Sequence, residues 1–559
     1  MLNTRAAGAV CALATTSSQP AHSPKGRIMS GRALRLMGLG MVATAGAGFL
    51  SLAAMMHSGF ANADGEDIGL VMGGSGLPIP GPDYVASADL HYLEHIYPGD
   101  ITSFFGATTG NPFGQGLFTP EGLYPLTGVH TLPLNYPSGG ELGLPTDATS
   151  VGQGITILAN QIEANASNGD MSTVLGYSQS STLAGLTMTQ LEADGVSPND
   201  VQFLLLADPS NPNGGLLSRF DGFTTTSGDV HSLELNLPSL GVSFDGATPS
   251  DDYVTSMYSM EYDGFTDFPR YPINFLSDLN AFLGIEQIHG TYLNGGNGTD
   301  GLGTGPSIAD IDNATLLPGS HDFGGPGANP DSMTDYYMIT TMGGTDTATG
   351  ADITPPLVAL LPAPLQALLG PDLTYLINLG YGDGSTGYSV DVDSPADVNT
   401  PFGLFPDVSL SDVFNNLAAD TQTGIANFEA FLADPTTMAT SVDPATAGQS
   451  AAEITAALQA DLADPSATLT DFVNAITTAS SAAYSTLLPT ADIINALVTS
   501  MPAYDLSLFS ANIATGDLAD AFGLPLAADT ALLTLAGGFE VEVLQNAATE
   551  ITNAFSGLF

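Results

Sequence analysis

The stretch MSTVLGYSQSS, residues 171–181, decides how the rest of the chain is read. Its first half is apolar and β-branched, which suits a buried strand, and its second half opens a segment with helical spacing. Between them lies Gly176-Tyr177-Ser178-Gln179-Ser180. A serine on a sharp strand-to-helix turn is pushed clear of a sheet, and the residues two before and two after it must be small. Gly176 and Ser180 meet that requirement, although the last position is Ser where Gly is usual. Ser178 is therefore the candidate nucleophile.

Outward from this turn the chain alternates between strand-like and helix-like segments. IGLVM (68–72), GVHTLPLNYP (128–137), VQFLLLADP (201–209) and VTSMYSMEYDG (254–264) read as extended. Residues 147–166 place Val151, Ile155, Leu158 and Ile162 at helical spacing, and 180–195 form a helix closed by Gly195. Strands alternating with helices predict an α/β fold, a mostly parallel sheet covered by helices on both faces. With a serine elbow in that setting, the expected architecture is the α/β-hydrolase fold.

A serine hydroxyl needs a base, and the base needs a carboxylate to orient it, in the chain order Ser, acid, His for this fold. His91, His95, His130, His231 and His321 precede the nucleophile or lie far from a strand end; only His289, in GIEQIHGTYL, follows a sheet-like segment at the right distance after Ser178. Two carboxylates compete in EYDGFTDFP. Asp267 completes a G-x-x-D followed by Pro269 and is the favoured acid, while Asp263 lies nearer the strand and is its rival. Asp208 also follows a strand, where capping the turn before Pro209 is the simpler role. The oxyanion donors expected are the backbone N–H of Gln179 and a group from the early turn Gly73-Gly74-Ser75-Gly76, for which Ser75 is the candidate.

Charge narrows the class of partner. The chain holds 7 Lys+Arg against 58 Asp+Glu, a formal charge of −51 over 559 residues. Five of the basic residues precede Leu36, so beyond the N-terminus only Arg219 and Arg270 are fixed cations. Such a field repels phosphate backbones and excludes a nucleic-acid-binding role. Arg27, Arg32 and Arg35 lead into the uncharged run 36–56 and then to Ala61-Asn62-Ala63, the pattern of a secretory signal peptide cleaved after Ala63, with an uncleaved membrane anchor as the alternative that so long an apolar run leaves open. Cys11 is the only cysteine and lies upstream of that site, so no disulfide is expected in the exported protein.

Three regions follow: an N-terminal extension and leader (1–63), an α/β-hydrolase domain (64–410) and a separate helical, Ala-rich C-terminal region (411–559). In the last, Ile454, Leu458 and Leu462, then Leu469, Phe472, Val473 and Ile476, have helical spacing. The apolar run 352–369 is a candidate acyl-binding lid, with a buried core helix as the commoner alternative. Gly295–Gly303 matches one calcium-binding nonapeptide repeat, but such repeats bind only when stacked, so no metal is assigned.

Taken together, the blocks VMGGSG, VHTLPLNYPSGG, LGYSQSS, EYDGFTDFPRYPINFLSDLNAFLG, HGTY, YYMI and LINLGYGD resemble the PE-PPE domain family of mycobacterial proteins, which is similar to cutinases. The resemblance spans about residues 64–410. It implies esterase or lipase activity on acyl esters without a cofactor, or acyl transfer in building envelope glycolipids. It also implies a triad of Ser178, an Asp in YDGFTD, and His289, and a place in the cell envelope or outside the cell. The PE or PPE helical module is replaced here by the leader, and the disulfides of cutinases are missing. The rival from another class is a non-catalytic envelope protein that keeps the fold.

Overall fold

A computed structural model describes residues 67–97 (apart from positions in the 76–79 turn), 103–104, 150–220, 236–237, 242–294 (apart from 245), 305–433 and 486–556, with a few isolated positions between. The leader, the 128–137 segment, the Gly295–Gly303 stretch and the helical spacings between 454 and 476 lie outside the described residues.

Among the described residues seven strands form the main sheet: β1 (Asp67–Val71), β2 (Ser103–Phe104), β3 (Met171–Tyr177), β4 (Val201–Leu206), β7 (Thr255–Met260), β8 (Thr315–Leu316) and β9 (Thr334–Ile339). Their order is β2-β1-β3-β4-β7-β9-β8, parallel throughout except for β8, which runs antiparallel to β9 at the edge. Two short hairpins stand apart, β5 (Asn236–Leu237) with β6 (Val242–Ser243), and β10 (Thr341–Met342) with β11 (Ala351–Asp352). The expected parallel α/β architecture is what the chain adopts.

Strand alternation explains why both faces are covered. Leu70, Val174, Phe203 and Leu205 point into one core with Leu158 and Ile162 of helix α2 (Ser150–Asn168) and Leu183 and Met188 of α3 (Gln179–Asp194). Val71, Leu175, Leu204 and Leu206 point into the opposite core with Val85 of α1 (Pro82–Ala88), and with Tyr92, Tyr292 and Tyr381. Each such aliphatic side chain contributes about 1.5–3 kcal/mol when fully buried. All six residues of β4 and of β7 are buried, as central strands of a doubly covered sheet require.

The order of the strands also says where a site should lie. From β1 the chain goes outward to β2, then crosses to the other side of β1 to make β3. The direction of winding reverses between β1 and β3, and in open parallel sheets ligands bind at the carboxyl ends beside such a reversal. Gly73-Gly74-Ser75 follows β1 there, and Ser178 follows β3.

Helix α4 (Leu216–Arg219) follows β4, and after β7 come α5 (Phe275–Gln287), α6 (Ile308–Asp312), α7 (Pro356–Ala359), α8 (Ala363–Asn378), α9 (Leu410–Ala433), α10 (Leu487–Asn495), α11 (Met501–Thr515) and α12 (Leu518–Ser556). The region beyond residue 410 is helical where described, as expected, but it does not stand apart. Met501, Tyr504 and Leu508 of α11 and Ala528, Ala531, Leu532 and Leu535 of α12 share one core with Phe220, Phe268, Ala281, Ile285 and Phe402. A chain cut after residue 410 would expose that core. Within α12, Leu518–Asn553 is long and apolar enough to cross a membrane by length and composition, yet it packs against α5 and α11, and Leu518, Phe522, Leu526, Leu533 and Leu544 remain exposed.

Buried carboxyls set the pH behaviour of this fold. Burial pushes Asp208 from 3.8 up to about 6, despite hydrogen bonds from Thr248, Ser210 and Thr182, and pushes Glu261 from 4.5 up to about 7. Burial also raises Asp278 well above the ordinary range. Asp310 runs the other way: burial alone would raise it, but the N–H groups of Ser307 and Gly350 and two hydroxyls hold it low. A carboxyl raised on folding binds more protons in the folded state, so its contribution is full below the unfolded pKa and lost as pH climbs through the folded one. The window is therefore roughly pH 4 to 7. Thermal melts should give a Tm higher at about pH 5 than at about pH 8, by more than about 5 °C; a rising Tm over that interval would contradict the burial of these groups.

Candidate active site

Ser178 sits between the last residue of β3 and the first of α3 with φ 57° and ψ −119°, a region that non-glycine residues rarely adopt. This is the strained elbow expected from GYSQS, and such strain costs about 1–3 kcal/mol. The turn is held by Ser178 N–H donating to Leu206 O at 3.0 Å and Ser181 Oγ donating to Leu206 O at 2.9 Å. At Gly176 a Cβ would fall 2.8 Å from Ser180 O and 2.9 Å from Ser181 Cα, so no larger residue fits. Ser180 is fully buried. Its Oγ accepts from Tyr177 N at 2.8 Å and donates to Tyr177 O at 3.1 Å, tying the elbow with a side chain that glycine lacks.

His289 begins a single 3₁₀ turn directly after α5, rather than following a strand as its sequence context suggested. Its Nε2 lies 2.7 Å from Ser178 Oγ, and its Nδ1 lies 3.0 and 2.9 Å from the two carboxylate oxygens of Asp263. With Nδ1–H donating to Asp263, Nε2 is left to accept the serine proton. The ring is clamped between Phe265, at 4.6 Å, and Tyr177, stacked at 5.7 Å and 21°. Tyr177 Oη also donates to His289 O. Asp263 is fully buried and accepts further hydrogen bonds from Tyr292 Oη at 2.9 Å and Phe265 N at 3.1 Å. Tyr292 Oη in turn accepts from Met260 N at the end of β7.

The acid expected from G-x-x-D was Asp267, and the structure corrects it: Asp263 is the carboxylate on His289. The residues from 263 to 267 make one helical turn, with Thr266 N and Asp267 N both donating to Asp263 O. That turn folds the Asp267 carboxylate back toward the strand end, where its Oδ2 accepts from Tyr262 N at 2.9 Å. Burial first, against that hydrogen bond and Arg219, pushes the Asp267 carboxyl well above the usual range. Gly264 permits the arrangement, since a Cβ there would lie 2.1 Å from Ala281 O of α5. Asp208 takes the capping role read from sequence, accepting from Ser210 N at 2.9 Å and from Thr248 Oγ1 at 2.6 Å.

The two oxyanion candidates fall beside the serine. Gln179 is the first residue of α3, at the positive end of its helix dipole. Gly74 brings the early turn close: a Cβ there would sit 3.0 Å from the Tyr177 ring and 3.5 Å from Ser178 Cβ, and Ser75 follows it on the wall of the same pocket.

A cavity of about 420 Å³ opens over Ser178, which is 8% exposed. Leu77, Phe265, Ile285 and Phe539 supply its apolar wall, and Glu286 and Glu542 its acidic part. None of residues 352–369 lines it, so the apolar run read as a lid lies elsewhere. It borders a larger cleft of about 910 Å³ that shares no lining residue with the first. Sequence reasoning missed Phe539 and Glu542, which lie some 360 residues beyond the elbow in a helix with no motif. The two arginines are occupied elsewhere: Arg219 donates to Phe268 O and Ser389 Oγ, and Arg270 to Ser394 Oγ at 2.6 Å. Among the described residues no group of three or more His, Cys, Asp or Glu is placed to hold a metal ion.

Comparison with known proteins identifies the family to which this chain is similar. The PE-PPE domain profile matches residues 113–382, which contain Ser178, Asp263 and His289. The uncharacterized PPE family protein PPE28 of Mycobacterium tuberculosis is 37% identical over 509 residues, 88% of this chain and 67% of that protein. Esterase PE16 of the same organism is 34% identical over 341 residues, 60% of this chain and 51% of that one. PE family protein PE3 is 34% identical over 363 residues, 64% and 61% respectively. The chain thus spans about half to two thirds of these relatives. No solved structure matches it.

Proposed function

Because the chain belongs to the PE-PPE domain family, we propose that it is a serine esterase that cleaves acyl esters through an acyl-Ser178 intermediate. The observation that carries the reading is the hydrogen-bonded chain from Ser178 Oγ through His289 to Asp263. The relative named an esterase supports the reaction class.

In this reading Ser178 Oγ attacks the ester carbonyl carbon while His289 Nε2 takes its proton. Asp263 holds the imidazole tautomer and stabilises the imidazolium that forms. Negative charge moves onto the carbonyl oxygen, beside Gln179 N–H and the Ser75 turn. His289 then gives its proton to the departing alcohol, and the acyl group stays on Ser178. Water, deprotonated by the same imidazole, repeats the sequence and frees the carboxylic acid. No cofactor or metal is required.

The reading includes export and a place in the cell envelope. The leader pattern ending at Ala63 supports the first; the mycobacterial relatives and the exposed apolar side chains of α12 support the second. The direct test is labelling of the purified full chain by a fluorophosphonate and sequencing of the labelled peptide. Labelling on Ser178, in the peptide containing GYSQS, is expected. An unlabelled, folded protein would leave the envelope-protein alternative in its place.

A further inference from the structure

The C-terminal helices carry no residue of the triad, yet one of them forms part of the wall around it. Helix α12 packs on α5, the helix that leads into His289. Gly538 makes the approach possible, because a Cβ there would lie 2.3 Å from the Phe282 ring. The next residue, Phe539, meets Phe282 edge-on at 6.0 Å and stacks on Phe265 at 6.4 Å and 22°. Phe265 is the same ring that lies 4.6 Å from His289. A continuous aromatic row thus runs from α12 to the catalytic histidine. One turn further along α12, Glu542 stands beside Glu286 of α5, where burial and then the neighbouring carboxylate push it up to about 8. Among the described residues the pocket lining contains no Lys or Arg.

From this arrangement we infer that the C-terminal region completes the substrate site: Phe539 sets the length of acyl chain admitted, and Glu542 with Glu286 turns anionic esters away. The inference rests on the esterase reading and gives it a substrate class, uncharged esters with an apolar acyl chain. A cavity of about 420 Å³ is at the small end of ligand sites, so its far wall decides what fits. Removing the benzyl group opens that wall; enlarging it closes the pocket further.

The test uses the full chain and nitrophenyl esters of increasing acyl length. Phe539→Ala should raise the ratio of kcat/KM for long over short chains by about tenfold, the discrimination that a pocket wall of a few methylenes commonly supplies. Phe522→Ala, on the same helix but 68% exposed, should leave the ratio alone. At neutral pH the pair holds one proton and one negative charge, so the double variant Glu286→Gln with Glu542→Gln, which removes that charge, should raise the relative rate on an ester whose acyl chain ends in a carboxylate. The protein contains no Trp, so Phe539→Trp places a single indole in the pocket. Its emission should shift when an alkyl phosphonate occupies Ser178, while that of Phe522→Trp should not. A small fluorophosphonate separates the two ideas. If it labels Ser178 in every variant but Phe539→Ala keeps the wild-type chain-length ratio, the inference fails and the esterase reading stands. If even the wild type neither labels nor hydrolyses, both fall.

Discussion

Replacing Ser178 by alanine is expected to lower kcat by about 10⁶-fold while leaving a folded protein. The hydroxyl is the only atom removed, and its partner at 2.7 Å, His289 Nε2, then faces the pocket without a proton to accept. No acyl-enzyme can form, so hydrolysis falls to whatever the oxyanion donors and substrate binding supply on their own. His289→Ala should lose about as much as Ser178→Ala, and the double variant little more, because the two residues act as a unit. Stability should not fall, since the elbow hydrogen bond is made by Ser178 N–H and not by its side chain. Relief of crowding at φ 57° is small, as alanine keeps the Cβ. Steady-state kinetics with an activated ester, beside a thermal melt, measures both quantities. Full activity in folded Ser178→Ala would overturn the proposed mechanism.

The elbow was legible because its constraint is local. A strand, a sharp turn and a helix need small residues at fixed offsets from the serine, and Gly176 and Ser180 carry that need within five residues. The central strands were legible for a similar reason, since β4 is buried on both faces and reads as one apolar run. His289 was found by chain order, although the segment directly before it is helix α5 and not the sheet-like segment on which that reading relied. What escaped depends on contacts between distant segments. Phe539 reaches the pocket only because Gly538 lets α12 settle on Phe282, and neither residue belongs to a motif. The same is true of the shared core of α11, α12 and Phe220, which makes the boundary at residue 410 a change of composition rather than of packing.

The choice between the two carboxylates gives the second large expected effect. Asp263→Asn should lower kcat by about 10⁴-fold, whereas Asp267→Asn should change it by less than about tenfold. An amide at 263 offers His289 Nδ1 an oxygen or an NH₂ group. In the second case the imidazole is held in the tautomer whose Nε2 carries the proton and so accepts none from Ser178. In either case the negative charge that steadies the imidazolium is lost. Asp263 also accepts from Tyr292 Oη and Phe265 N, so the amide should stay seated and the fold intact. At 267 the argument reverses. That carboxyl is buried, raised well above its usual range and turned toward Tyr262 N, so a neutral amide oxygen takes over its one short contact. The G-x-x-D string drew attention to 267 because turn geometry after a strand was counted in residues. In the structure Thr266 N and Asp267 N both bond back to Asp263 O, and this coil shortens the reach by a full turn. Kinetics of the two variants at one pH, with melts to establish folding, decides the matter. Greater damage at 267 than at 263 would mean that the hydrogen bonds to His289 described above are not those of the working enzyme.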